Sequence, residues 1–412
     1  MTISDERSFQ GGDQRVARQN TWRTVVALNG VSVLAQIGQL GIPFVLFPLA
    51  LELHNISAWQ VGIVSSGLWA GILLGLALAP SAIHWVGYGK TAGVGLLVSV
   101  VALLFAPQLA PRNWAIASLM TGFGYGLRWI ANETWLFGTT PSQMQGKVVG
   151  VHESLLGVAA IAGPALVAVL GADGSPAFVV AAAFTGAAIF PLVLAGLIYR
   201  PQAAQERAPA RTPDSVKWRV SRVLHSGMLT AGIGGLVESS LISMFPLYAS
   251  ARGISASDIA WLLSIFGLGA VLLQLPIGWL ADQCGFRIAS VSVAALTVGC
   301  AIVISLVAPS GSLIGCVLFL MGGSITGFLT LALVAVTRQA NLGKLAVEMR
   351  RVSIVFTSMS VVGPLIGGAL VTQFGGSSLM VLIGISAGTL MLLMSPRAGG
   401  KTAYGAADDR TR

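Results

Sequence analysis

The chain has 412 residues, 55% of them hydrophobic and only 9% charged, and its formal net charge is +9. Soluble domains carry about a quarter charged residues, so with a mean hydropathy of +0.81 this composition excludes a soluble globular protein. The 51 glycines suit close helix packing in lipid.

Twelve apolar segments follow in order, at about 23–51, 59–82, 91–110, 114–138, 146–171, 176–199, 223–250, 256–281, 288–308, 311–337, 350–372 and 377–394. A membrane span needs about 20 largely apolar residues. Alternating strand patterns are absent, so the segments are read as helices rather than barrel strands. The first 21 residues are polar, with Arg7, Arg15 and Arg18, and no cleavable signal peptide is visible. The apolar segment behind them is too long for a signal h-region.

Lysine and arginine bias sets the orientation. Only Arg112 and Arg252 fall in loops of one side and Arg128 falls inside a segment; the rest of the 24 lie in the tails and loops of the other side. Both termini are therefore expected in the cytoplasm of a bacterial inner-membrane protein, and the positive charge is not a nucleic-acid footprint. Cys284, Cys300 and Cys316 form no metal spacing and no even set, and are read as reduced and structural. No glycine-rich phosphate loop, metal cluster or nucleophile constellation occurs. Neither cofactor nor metal is expected, and the chain is not read as an enzyme.

Residues 200–222 form the one long polar linker, with Pro201, Pro209 and Pro213. It divides a bundle at 23–199, behind a tail at 1–22, from a bundle at 223–394, ahead of a tail at 395–412. An internal repeat supports the division. Phe47-Pro48-Leu49 recurs as Phe245-Pro246-Leu247, Ile56-Ser57-Ala58 as Ile254-Ser255-Ala256, Ser66 as Ser264, Gly71 as Gly269 and Gly87 as Gly285, all at one constant spacing. Gly146-Lys147 answers Gly343-Lys344 and Gly163-Pro164 answers Gly363-Pro364 after small insertions. Two parallel six-helix halves with a site between them is a transporter plan.

Between the eighth and ninth segments the chain reads Gly278-Trp279-Leu280-Ala281-Asp282-Gln283-Cys284-Gly285-Phe286-Arg287. This resembles the loop motif of the major facilitator superfamily, and the general features are similar to its bacterial drug and metabolite transporters. The resemblance spans about residues 23–394. It implies an all-helical membrane fold with segments 1, 4, 7 and 10 lining a central cavity. In the first-half copy, His84 stands at the aspartate position and Pro80 at the opening glycine. Ser118 stands near the place where many antiporters carry an arginine. In the fifth segment Gly150, Gly163 and Pro164 match the antiporter motif, whereas Ala159 and Val167 replace two of its glycines. Asp282 and Arg287 are expected to latch helices in one state, as part of a conformational gate.

The polar residues inside the spans mark the site. Arg128 lies near the middle of the fourth segment and Glu238 near the middle of the seventh, one opposite charge from each half. Buried charges in membranes are usually functional, so both are expected to reach one water-accessible cavity. Arg128 would hold a carboxylate or phosphate with its planar fork, and Glu238 an amine or a proton. The alternative is a buried ion pair that only positions the halves. At about 100° per residue, Asn132 and Trp135 share the face of Arg128, while Glu133 points roughly 140° away. Gln36 and Gln39 extend the site from the first segment, or else bind neighbouring helices. Trp59, Trp114 and Trp261 are read as interface anchors.

Glu133 and Glu153 lie at similar depths, about 7.5 and 10.5 Å from the hairpin between segments four and five. Two carboxylates meeting in a dry place can share a proton, with His152 as relay. The competing reading is a gate, in which either glutamate pairs with Lys147, Arg350 or Arg351 across the halves. The expected function is secondary transport of a small organic solute, with proton-coupled export of an amphipathic drug or metabolite ahead of import or facilitation of an organic anion. A non-transporting receptor on the same fold is the alternative of another class. Expected partners are the solute, protons and lipid, with the protein a monomer that binds no nucleic acid.

Overall fold

A computed structural model describes residues 3–198, 222–306, 311–337 and 345–395. The linker at 200–221, the tail beyond residue 395 and the Gly343-Lys344 repeat lie outside the described residues. The helices are α1 (Ile3–Gln36, a π-helical turn Ile37–Gly41, then Ile42–Leu53), α2 (Ala58–Val86), α3 (Tyr88–Phe105), α4 (Trp114–Thr139), α5 (Gln145–Leu170) and α6 (Ser175–Ala187 with Ile189–Ile198). The second half contributes α7 (Arg222–Ser250), α8 (Ala256–Leu272), α9 (Gln274–Leu306), α10 (Gly311–Thr337), α11 (Leu345–Phe374) and α12 (Ser378–Met394).

Among the described residues, nine helices are long and apolar enough to cross a membrane. One of these, Ala256–Leu306, is 51 residues long and turns at Gly285, where φ is 82°. The eighth and ninth segments thus meet at that turn, α9 carrying the end of one and all of the other. Helix α4 is outside the nine, since Arg128, Asn132 and Glu133 lower its hydropathy. Helix α12 is apolar but short.

The repeat reappears as matching local structure. Ser57 accepts from the Gln60 N–H to cap α2, and Ser255 accepts from the Asp258 N–H to cap α8. Gly87 and Gly285 adopt the same left-handed backbone, φ 83° and 82°, a conformation open to glycine and strained for other residues. A Cβ on Gly71 would sit 2.0 Å from the Leu119 carbonyl oxygen, and one on Gly269 would sit 1.8 Å from that of Phe319. Gly122 approaches the Leu68 carbonyl and Gly322 that of Phe266 in the same way, at 2.0 and 1.9 Å. Each half therefore holds a backbone-on-backbone crossing, α2 with α4 and α8 with α10, which only glycine permits.

The halves meet along α2–α11 and α5–α8. Ser66 donates to the Val361 carbonyl at 2.7 Å, and its repeat mate Ser264 donates to that of Ile161 at 2.9 Å. The Trp59 N–H reaches Thr372 Oγ1, and Ser257 reaches the Ala168 carbonyl. These contacts lie on the side of the short loops at 54–57 and 251–255, which we call the hairpin face. Toward the linker face, where α6 ends and α7 begins, α5 stands apart from the other half. Between Gln145 and Ser154 it buries only Val148 and His152. The hydrogen bonds between the halves thus lie toward the hairpin face, whereas toward the linker face the start of α5 is largely exposed.

Trp59 and Trp261 are half exposed. Trp114 is not an anchor. It is 4% exposed, packs edge-on against Phe47, Phe178 and His54, and donates to the Leu109 carbonyl.

Candidate functional site

The site is built on the meeting of α1 and α4. Gly41 lets α1 close on α5, where a Cβ would lie 2.9 Å from the Ala159 carbonyl. The π-helical turn at Ile37–Gly41 falls at this squeeze and carries Gln39; such turns often occur at functional positions. Arg128 is 1% exposed. Its Nε donates to Gln39 Oε1 at 3.0 Å, and Gln39 Nε2 in turn donates to Ser99 Oγ at 2.7 Å. Its guanidinium carbon stands 4.8 Å over the Tyr125 ring, whose hydroxyl donates to Gln36 Oε1 at 3.1 Å. The Nη2 of Arg128 is buried without a hydrogen-bond partner.

This corrects two expectations. Arg128 is not water-accessible, because Tyr125 roofs it and Gln39 ties it to α3. It is also not paired with Glu238, which makes no hydrogen bond or ion pair among the described residues and is partly exposed on α7. Depth along a helix placed both charges near mid-span but fixed neither rotation nor reach. Both glutamines tie α1 to α4, Gln39 at Arg128 itself and Gln36 at Tyr125.

Two more residues of the expected substrate face turn into packing. Asn132 Nδ2 donates to the Leu28 carbonyl at 3.0 Å and to Ser32 Oγ at 2.7 Å, tying α4 to α1. Trp135 is 5% exposed in a cluster with Val25, Leu28, Ala92 and Leu96. It faces α1 and α3.

Glu133 does lie apart from Arg128, as the helical arithmetic required. Its Oε1 accepts from Trp129 Nε1 and lies 3.3 Å from His152 Nε2. The other ring nitrogen, Nδ1, lies 3.0 Å from Asn29 Oδ1. Trp129 stacks at a tilt on Tyr125, with centroids 5.6 Å apart, so an aromatic pair joins the arginine site to the glutamate site. Glu153 is exposed next to His152. The cross-half gate pairs are not formed in this state. Arg351 bonds Glu348 on its own helix at 3.2 Å, while Arg350 and Lys147 are exposed. Asp282 and Arg287 are both exposed at the linker face beside the Gly285 turn.

Sequence reasoning missed Tyr125 and Ser99 as working members. Tyr125 precedes Arg128 by three residues, the spacing that places both on one helix face, and that signal was available. Ser99 comes from another helix and carried no signal. Among the described residues no group of three or more His, Cys, Asp or Glu could hold a metal, and Cys284, Cys300 and Cys316 are free.

Comparison with known proteins agrees with this architecture. The sequence profile of the Major Facilitator Superfamily matches residues 227–407. An uncharacterised MFS-type transporter of Enterobacter sp. (strain 638) is 23% identical over 358 residues, covering 86% of this chain and 91% of the relative. The uncharacterised MFS-type transporter YcaD of Escherichia coli (strain UTI89 / UPEC) is 24% identical over 370 residues, covering 87% and 91%. Among solved structures, a mutant of the nucleoside transporter NupG has a similar fold, with TM-score 0.74, 12% identity and coverage of 90% of this chain and 98% of that one. A D-xylose-proton symporter follows at TM-score 0.67, 13% identity and coverage of 93% and 99%. The fold is that of a multi-pass membrane protein built from two related helical halves. Its second half matches the Major Facilitator Superfamily model, and most of its length is similar to transporters described as MFS-type.

Proposed function

We propose that this secondary transporter moves a small amphipathic organic solute bearing an acidic group, by alternating access coupled to protons. The observation that carries the proposal is the Arg128 Nη2, buried and short of an acceptor. The guanidinium is already oriented by Gln39 and Tyr125, so an incoming carboxylate or phosphate meets a fork that needs little reorganisation. An unpaired buried donor is costly, and an anionic solute group satisfies it. Small motions of Tyr125 would admit the solute from between the halves.

The lysine and arginine bias supports the linker face as cytoplasmic, in a bacterial inner membrane, with the protein acting as a monomer. A second reading rests on Glu238, which is partly exposed and unpartnered among the described residues. In that reading the solute is an amphipathic cation held by Glu238 and exported against protons.

Proteoliposome uptake decides between them. A panel of organic anions and amphipathic cations is offered with and without an imposed pH gradient. Anion transport that vanishes in Arg128→Ala and returns poorly in Arg128→Lys supports the first reading, because lysine lacks the bidentate fork. Full anion transport in Arg128→Ala overturns it.

A further inference from the structure

The hydrogen bonds around His152 fix its chemistry more tightly than its position alone. Asn29 Nδ2 lies 2.9 Å from the Val25 carbonyl oxygen. A carbonyl only accepts, so the amide nitrogen of Asn29 is the end that faces it, and Oδ1 is the end that faces His152. An amide oxygen only accepts as well. The contact of 3.0 Å to Nδ1 therefore requires the proton on Nδ1. That leaves Nε2 opposite the Glu133 carboxyl at 3.3 Å. With Nδ1 protonated, a neutral ring has a bare lone pair at Nε2, and an ionised glutamate presents another at Oε1. Two acceptors do not share such a contact without a hydrogen between them.

We propose that Glu133 and His152 together hold one transferable proton in this state, and that Asn29 is the positioning residue that sets the ring tautomer. The proton lies either on Oε1, donating to Nε2, or on Nε2, donating to the carboxylate. In both forms the pair is neutral overall. Trp129 donates to the same Oε1 and so favours the second form. His152 from α5 meets Glu133 directly, and Glu153 from α5 with Tyr125 and Arg128 from its own helix act on it electrostatically without contact. Release leaves through Glu133, whose side chain is 22% exposed, whereas that of His152 is 1% exposed. Once the proton reaches water, a bare Nε2 faces a carboxylate and the contact between α4 and α5 must open. The store is thus a pair of a carboxyl and an imidazole, not two carboxyls, and its loss is coupled to a change of helix contact. Its role in transport rests on the proton-coupled reading above, but its chemistry does not.

The test reads the ring nitrogens of His152 by nitrogen-15 magnetic resonance in nanodiscs at pH 7, without solute. In the wild-type protein, Nδ1 is expected to be protonated in essentially every molecule, with Nε2 at a shift between the free and protonated values. Asn29→Leu removes the acceptor, so the ratio of Nδ1–H to Nε2–H tautomers should fall at least about tenfold. Asn29→Asp keeps an acceptor and should restore it. Glu133→Gln should abolish the intermediate Nε2 shift. A wild-type ring with bare Nδ1, or a tautomer ratio unmoved by Asn29→Leu, overturns the proposal. If Asn29→Leu does not fold, the wild-type shifts and Asn29→Asp still decide it. Failure of proton coupling in the transport assay, with these shifts as expected, would reject the transport role and leave the proton store standing.

Discussion

The two halves of this protein share their packing but not their chemistry. Glycine crossings, serine caps, left-handed turns and cross-half serine bonds occur in both, at matching positions. The polar site occurs in one. At the repeat position of Arg128 stands Phe328, at that of Gln39 stands Val237 and at that of Asn132 stands Ala332, all fully buried and apolar. Conversely Glu238 answers Leu40. The second half does hold polar links, Thr297 with Ser324 and Gln274 with Thr326, but among its described residues no charged side chain is as fully buried as Arg128. The difference teaches that the fold is specified by shape and small residues, which both copies need, while recognition needs one copy only. Closed backbone contacts tolerate no change, whereas a buried side chain one turn away can be exchanged for charge once hydrogen-bond partners accompany it.

The largest break in that comparison should come from Arg128→Ala. Its transport rate per folded molecule should fall at least about a hundredfold, close to 3 kcal/mol at 1.4 kcal/mol per tenfold, with thermal unfolding little changed. Phe328→Ala should do the reverse, lowering stability by about 3–5 kcal/mol while sparing the rate. Rates and melting curves measured on both variants check the pair, and parallel losses would dissolve the distinction.

Next in size is coupling. Glu133→Gln and Glu238→Gln should lose solute accumulation driven by a pH gradient yet keep solute exchange at equal pH, since exchange moves no net proton. Accumulation that persists in both variants would place the coupling elsewhere.

The shared packing is tested by Gly122→Ala and Gly322→Ala. Both methyl groups meet a helix carbonyl at about the same separation, so both should cost about 1–3 kcal/mol of stability, as overpacking does, and by equal amounts. Unequal loss in unfolding midpoints would mean that the halves are less alike than their contacts suggest. The smallest effect is expected for Gln39→Leu, which frees Arg128 to relax without removing it. Transport should weaken about tenfold, with most of the change in apparent affinity.

The fold was legible because lipid imposes length, composition and loop charge on a chain, and because repeated glycines and prolines record repeated contacts. Arg128 and Glu133 were legible as charges inside apolar segments, and their separation followed from helical geometry. What escaped was anything set by two rotations at once. Arg128 and Glu238 share a depth, yet nothing in either segment states how far each turns toward the other. Trp114 sits at a helix end, where anchoring is the usual fate, but His54 of the 54–57 loop and Phe178 of α6 help to enclose it. Trp135 shares a helix face with Arg128, and that face is buried against α1 and α3.

The serine bonds toward the hairpin face bear on how fast the molecule can turn over. Ser66 and Ser264 each donate to a carbonyl within a helix of the opposite half, an oxygen with a second lone pair. When the halves part, that oxygen keeps its place in its own helix, and the freed hydroxyl can swing back to a carbonyl one turn earlier on its own strand of backbone. Neither side is left stranded in the low-dielectric interior. A seam fastened by groups that carry their replacement partners with them can be undone at little cost, where parting a buried ion pair would leave both charges without a partner.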